Sequence, residues 1–311
     1  MRLVVLLMTL AIGVPVAWSQ TAAPPAAPGS SASTDALRGA IDIHVHGLPD
    51  SRPRALDGIE AARFAKDRGM RAIVLKNHYE PTASLAYIVR TAVPGIEVFG
   101  GVDLNLSMGG INPAAVEYMT QVTGGYGRIV WMPTFDAENA VRFEDARRPF
   151  VSVSGNGGVP LPAVKDVIAL IAKHNLVLAT GHSSAAEGLM LLREGQRQGV
   201  RHMVVTHAMN PPILMDVLQM QEAARLGAFI EFVGSSLAAP GTPARMDRFA
   251  DAIRKIGPQF CILSSDLGQK DNPLPAEGYA AFLAAMRARG FSEAEVDLMS
   301  KRNPALLLGL P

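Results

Sequence analysis

From residue 40 to the C-terminus, short apolar runs alternate with amphipathic stretches. Eight runs are rich in Val, Ile, Leu or Phe: Ala40–Ile43, Arg71–Leu75, Glu97–Leu104, Arg128–Met132, Leu176–Ala179, His202–Thr206, Ala228–Phe232 and Phe260–Ser264. Each is too short for a typical helix and carries little polar alternation, as strands covered on both faces should. The stretches between them have helical spacing. Gly58–Arg68 repeats Ile59, Ala62, Phe64 and Ala65, and Ala163–His174 repeats Val164, Val167, Ile168 and Ile171. Met215–Leu226 and Arg245–Ile256 are each followed by a glycine suited to the left-handed residue that closes a helix. Strand then helix, repeated eight times, predicts an α/β protein with a (β/α)8 TIM barrel over residues 39–311. An open doubly wound sheet also alternates, but no Gly-rich phosphate loop follows the first run.

Two segments depart from the repeat. Pro133–Leu161 is long for a strand-to-helix connection, and Phe150–Gly158 within it reads as a small hairpin or lid, a candidate for substrate specificity. At the far end, Glu293–Leu308 predicts one extra helix. The N-terminus belongs to neither pattern. Met1-Arg2, the apolar run Leu3–Val16 and Ala17-Trp18-Ser19 have the layout of a signal peptide over residues 1–19, cleaved before Gln20. The apolar run is shorter than the roughly 20 residues a membrane span needs. Residues 20–38, rich in Ala, Pro and Ser up to Thr34, read as a flexible linker. The chain is therefore expected to be secreted or periplasmic, with no stable membrane anchor after processing.

Charge narrows the partners. Lys and Arg number 29 and Asp and Glu 28; removing Arg2 with the leader leaves 28 of each and a formal charge of zero. Such a balance gives no general drive towards nucleic acid or anionic membrane, so a small-molecule substrate is expected. Cys261 is the single cysteine, which excludes an intramolecular disulfide and a thiolate metal cluster. Nothing in the sequence indicates the oligomeric state.

The candidate chemistry lies in the histidines. His44 and His46 close the first run, His78 follows the second, His182 the fifth and His207 the sixth, while Asp266 follows the eighth. In a parallel barrel all of these positions open on one mouth. His174 and His202 fall at the other ends of their elements and are set aside. Residues i and i+2 of a strand share a face, so His44 and His46 can grip one ion. Asp42 has the same parity and is expected to orient a ligand from behind. Asp103 and Asn105 follow the third run at the same mouth. Glu231 reads as half of an ion pair filling the barrel.

The whole span Asp42–Leu310 resembles the amidohydrolase superfamily. The resemblance is carried by Asp42-Ile43-His44-Val45-His46, Thr180-Gly181-His182, Thr206-His207, Ser265-Asp266 and the closing Asn303-Pro304-Ala305-Leu306-Leu307-Leu308. More narrowly, Leu75-Lys76-Asn77-His78 is similar to a branch with no assigned substrate. The resemblance implies a metal centre of His44, His46, His182, His207 and Asp266, holding one or two divalent ions, with zinc the expected metal. It implies a metal-dependent hydrolase acting on a small amide, ester, lactone or cyclic imide. Asp266 would shuttle the proton and His207 would contact the substrate oxygen or a second ion. One departure stands out: where two-metal members carry a bridging Lys or Glu at the end of the fourth strand, this chain has Trp131-Met132-Pro133-Thr134. Lys76, at the end of the second, is the remaining catalytic candidate. It can bind an anionic substrate as an ammonium, bridge metals once carboxylated, or pair with Asp103 inside the barrel. A decarboxylase with the same ligands and a non-catalytic metal- or solute-binding protein are the alternative readings; the carboxylate at Asp266 argues against the latter.

Overall fold

Eight parallel strands follow one another around a barrel in chain order, each hydrogen-bonded to the next. They are β1 Ile41–Val45, β2 Ala72–Leu75, β3 Glu97–Asp103, β4 Gly127–Trp131, β5 Val177–Ala179, β6 His202–Val205, β7 Ala228–Val233 and β8 Cys261–Ser264. The computed structural model describes residues 36–238 and 241–311. The expected leader and most of the expected linker lie outside them, although Leu37 is already buried in the core. No helix of the described residues is long and apolar enough to cross a membrane.

The helices are α1 Gly58–Asp67, α2 Ala83–Ala92, α3 Pro113–Thr120, α4 Glu138–Phe143, α5 Pro162–Lys173, α6 Ala185–Arg197, α7 Val217–Arg225, α8 Thr242–Ile256, α9 Pro275–Arg287, α10 Glu293–Asp297 and α11 Asn303–Leu307. Local sequence starts them where it should. Asp57 with Glu60, Ser184 with Glu187 and Asp216 with Gln219 form reciprocal caps on α1, α6 and α7, satisfying N–H groups that have no partner inside a helix. On α5 the buried residues are Val164, Val167, Ile168 and Ile171, the spacing that faces one side of a helix.

Alternate strand residues feed two cores. Ile41, Ile43, Val74, Phe99, Ile129 and Ile262 fill the inside of the barrel, and Leu307 and Leu308 close its floor from the C-terminal segment. Neighbours of opposite parity, such as Ile73, Val98, Leu178 and Leu263, pack outwards under the helices. The expected C-terminal helix is broken: between α10 and α11, Leu298–Arg302 forms one wider π-type turn. Pro304 has no N–H with which to continue the ladder, so the regular hydrogen bonding cannot run through unbroken. Asn303, just before it, donates from Nδ2 to the carbonyls of Pro258 and Cys261 beneath β8.

The long connection after β4 also differs from its expected form. It contains α4, and Phe150–Gly158 is held by two isolated bridges, Ala137 to Val151 and the antiparallel Ser154 to Pro160, the second closing a minimal hairpin. Val153 is buried in the outer core and Ser154 Oγ lies 3.2 Å from Glu187 at the start of α6. The segment therefore packs on the helical wall, because its apolar residues find a surface there, and does not fold over the mouth as a lid.

The seam between β1 and β8 completes the ring. Asp266 N donates to His44 O at 2.9 Å and His46 N to Leu267 O at 2.8 Å. From outside, the buried hydroxyl of Tyr279 on α9 reaches the carbonyls of Leu263, 2.8 Å, and Ile41, 3.2 Å. Tyr279→Phe keeps the packing and removes both links. It is expected to destabilise the protein by about 1–2 kcal/mol, seen as a lower urea midpoint at unchanged denaturant slope.

Candidate metal centre

β1 does not run straight into the site. Its pairing with β2 slips between Asp42 and Val45, a bulge that resets the alternation. Ile41 and Ile43 both belong to the inner core, which leaves Asp42 between them on the opposite side. The expectation that Asp42 shares the face of His44 is thus corrected. Its carboxylate instead accepts from the backbone N–H of His44, 3.1 Å, and of Ser265, 2.9 Å, tying the seam. Burial, only partly offset by these bonds, pushes its pKa up to about 6.

Beyond the bulge, His44 and His46 both reach Asp266. His44 Nε2 lies 3.2 Å and His46 Nε2 3.1 Å from the same oxygen, Oδ1. The other ring nitrogens fix the tautomers. His44 Nδ1 meets Glu231 Oε1 at 3.1 Å and His46 Nδ1 meets the Lys76 carbonyl at 2.6 Å; both partners only accept, so both Nδ1 atoms carry protons. In the neutral rings both Nε2 lone pairs then face a carboxylate oxygen. Three acceptors gathered on one point need a cation between them. His44, His46 and Asp266 form a group of donor atoms all within 4.8 Å of one another. His44 Nε2 has no hydrogen-bond partner. Neutral imidazoles with one carboxylate suit a borderline divalent ion such as zinc.

The charge states agree. Burial pushes His46 down to about 3, and it also holds His78 and His182 well below the usual histidine range. His207 is lowered as well, burial again being the main cause. For His44 burial acts the same way, but Asp266 and Glu231 outweigh it and raise its pKa. Burial also opposes ionisation of Asp266, yet His44, His46 and His207 hold it well below the ordinary carboxylate range. A negative charge is therefore kept beside rings that are mostly neutral.

The other two expected ligands form a second group in the same cavity of about 230 Å3. His182 Nε2 and His207 Nε2 lie 3.2 Å apart, and the His207 ring stacks 6.0 Å from that of His44. Glu231 links the groups: Oε1 takes His44 and the Ser264 hydroxyl, while Oε2 takes the backbone N–H of His207 at 2.8 Å. It serves as an orienting carboxylate, which extends its sequence reading as an ion-pair partner. Two close backbone approaches set these loops. A Cβ at Gly181 would stand 2.1 Å from Met132 O, and one at Gly268 would stand 1.9 Å from His46 O. His207 and Asp266 themselves adopt positive φ, 26° and 49°, a strained backbone conformation at two residues of the site.

Lys76 is fully buried beside the same cavity, its Nζ 3.5 Å from Asp103 Oδ2 and 5.4 Å from the centre of the Trp131 ring. The end of β4 presents Thr134. Its hydroxyl is 3.2 Å from Asp103, 2.7 Å from Asn105 Nδ2 and 2.9 Å from His78 Nδ1. A hydroxyl has one proton; given to Asp103, it leaves His78 as the donor and frees its Nε2. His174 pairs with Glu117 away from the site, and His202 starts β6 half-buried, as expected of both. The sequence reading missed Arg52, Arg54 and Phe135, which also line the cavity. The signal for the first two was their place: the loop directly after His46, at the mouth where barrel sites form.

The profile of a family of unknown function, DUF6282, matches residues 39–231. No curated protein matches the chain in sequence. Among solved structures, an amidohydrolase from Pseudomonas aeruginosa shares 12% identity with a TM-score of 0.63, covering 90% of this chain and 98% of its own. A zinc-bound amidohydrolase from Burkholderia multivorans shares 15% identity at a TM-score of 0.60, covering 88% and 99%. A lactonase from Listeria monocytogenes shares 16% at 0.56, covering 88% and 95%. The structural likeness establishes a common barrel, and the sequence match covers the strands that carry His44, His46, Lys76, His182, His207 and Glu231. The chain belongs to the DUF6282 family, and its fold is the (β/α)8 barrel of the amidohydrolases.

Proposed function

We propose that this protein is a metal-dependent hydrolase of a small amide, ester, lactone or cyclic imide, with zinc the favoured ion. The observation that carries the reading is the convergence of two Nε2 lone pairs, their tautomers fixed, on one oxygen of Asp266. His44, His46 and Asp266 would hold the ion, with His182 and His207 completing its surroundings or holding a second ion. A bound divalent ion lowers the pKa of water from about 16 towards 7 and polarises the bond under attack.

The chain's own groups do the rest. Ser235 donates to Oδ2 of Asp266 at 3.0 Å and fixes the plane of the carboxylate. Asp266, ionised at neutral pH, accepts the proton of the attacking water and returns it to the leaving group. Glu231 holds His44 in its tautomer and steadies the backbone that presents His207. His207 Nδ1, buried without a partner, is free to meet a substrate oxygen when protonated there. Phe135 and Pro211 supply the apolar part of the cavity wall and limit the water around the reacting group. The small cavity suits a small molecule. Export, if the leader is cut before Gln20, places this chemistry outside the cytoplasm.

Metal per chain, measured by plasma mass spectrometry on protein purified without chelator, is expected to be at least one. Absence of bound metal and of chelator-sensitive hydrolysis across an amide, ester and lactone panel would sink the reading. The double variant His44→Ala, His46→Ala is expected to lose that metal. Asp266→Asn keeps the size and one ligating oxygen. It should hold much of its metal and fold while turnover falls by about 10²- to 10⁴-fold. Near wild-type turnover in a metal-replete Asn variant would move the proton shuttle elsewhere. Glu231→Gln removes one acceptor from behind His44 and should weaken metal affinity by about 10- to 100-fold, read by competition with a fluorescent chelator.

A further inference from the structure

The loop between β1 and α1 brings a second kind of chemistry to the cavity. Arg54 pairs with Gln269 across an isolated antiparallel bridge, and Ala55 N donates to Gly268 O at 2.9 Å, so the loop is laced to the one carrying Asp266. The Arg54 side chain is only 3% exposed. Its Nε is engaged by Asp50 Oδ2 at 2.5 Å, but the buried Nη2 has no acceptor. A guanidinium cannot shed its charge, and a buried donor without a partner is costly. Lys76 Nζ, on the same cavity, likewise has no hydrogen-bond acceptor; its nearest carboxylate oxygen is Asp103 Oδ2 at 3.5 Å. At the rim, the Arg52 guanidinium lies 3.9 Å from the centre of the Phe135 ring. Two guanidiniums and the Lys76 amine therefore line a cavity whose one lining carboxylate, Asp266, faces two imidazoles.

We propose that the cavity selects a substrate bearing a carboxylate, and that Arg54 binds that carboxylate as the specificity-determining residue. The planar fork of a guanidinium matches a carboxylate edge and rewards it with charge-assisted bonds. Asp50 holds the Nε side and so orients Arg54 with its free edge towards the ligand. The acids beside these groups, Asp50, Asp103 and Asp266, limit the negative charge the cavity accepts and disfavour the second charge of a phosphate over a singly charged carboxylate. The scissile group then sits beside the histidine cluster, and the acid end lies at the β1–α1 loop. This deepens the hydrolase reading and rests on it for the reacting end alone; Arg54 acts without a metal.

N-acetylglycine and N-acetylglycinamide differ only by carboxylate against carboxamide and serve as the probe pair. Titration calorimetry on the protein as purified, and again after dialysis against EDTA, should show the acid bound at least about tenfold more tightly in both preparations. Arg54→Met should raise the Kd of the acid by about tenfold or more and leave that of the amide within about twofold. Arg54→Gln, which can still donate to Asp50 and so keeps the loop tied, should show the same selective loss. Equal binding of the two probes, failure of the acid to bind, or an acid preference that survives both variants overturns the proposal. So does a parallel loss of both probes in the Gln variant, which would mark Arg54 as a purely structural residue. The hydrolase reading fails separately. A metal-free, inactive protein that prefers the acid keeps this inference, whereas an active hydrolase without that preference loses it.

Discussion

Two imidazole lone pairs and a carboxylate oxygen occupy one small volume with no hydrogen to share among them. That is an electrostatic conflict which neutral groups cannot resolve, and most of the structure at the barrel mouth maintains it. The Lys76 carbonyl prevents His46 from turning its proton inwards, and Glu231 does the same for His44. Burial keeps His46, His78 and His182 from relieving the conflict by charging. Only His44 leans towards protonation, because two carboxylates face it. A proton on His44 or a divalent ion would each answer the same demand, so metal binding and local protonation would compete.

The barrel meets this demand with backbone as much as with side chains. A bulge in β1 turns His44 inwards while Asp42 stays at the seam, where it accepts from the backbone N–H groups of His44 and Ser265. Gly181 and Gly268 let neighbouring chains approach more closely than any side chain allows. His207 and Asp266 carry positive φ, so part of the free energy of the packed barrel is held as strain where the chemistry is. Beside this rigid set stands the cationic loop after β1, tied to the β8 loop by one bridge.

Much of this was legible in the sequence, for identifiable reasons. Every strand was found to within a residue or two, because strands covered on both faces are apolar along their whole length. The histidines could be sorted by which end of a strand they occupy. The parity argument for Asp42 failed because a bulge leaves no mark in a pattern of apolar and polar letters. The C-terminal helix reads as continuous because the wide turn before Pro304 spans only five residues and leaves no break in the apolar spacing. Phe150–Gly158 reads as a small hairpin or lid from its turn residues; the turn forms a minimal hairpin, yet the buried position of Val153 is decided by a helical wall that local sequence cannot show. Arg54 was passed over because a charged residue in a loop is ordinarily a solvated one. Only the fold reveals that its side chain is enclosed.

The seam between β1 and β8 has a consequence in time. His44 and His46 stand near the start of the chain, and Asp266 follows His46 by 220 positions. During synthesis the two histidines emerge early, while the carboxylate arrives only after all eight strands have been made. A contact so distant in sequence has a large closure entropy to overcome and forms late in folding. The cluster cannot exist in a half-made or truncated barrel. An ion captured there would therefore act as a clasp that only a finished molecule can fasten.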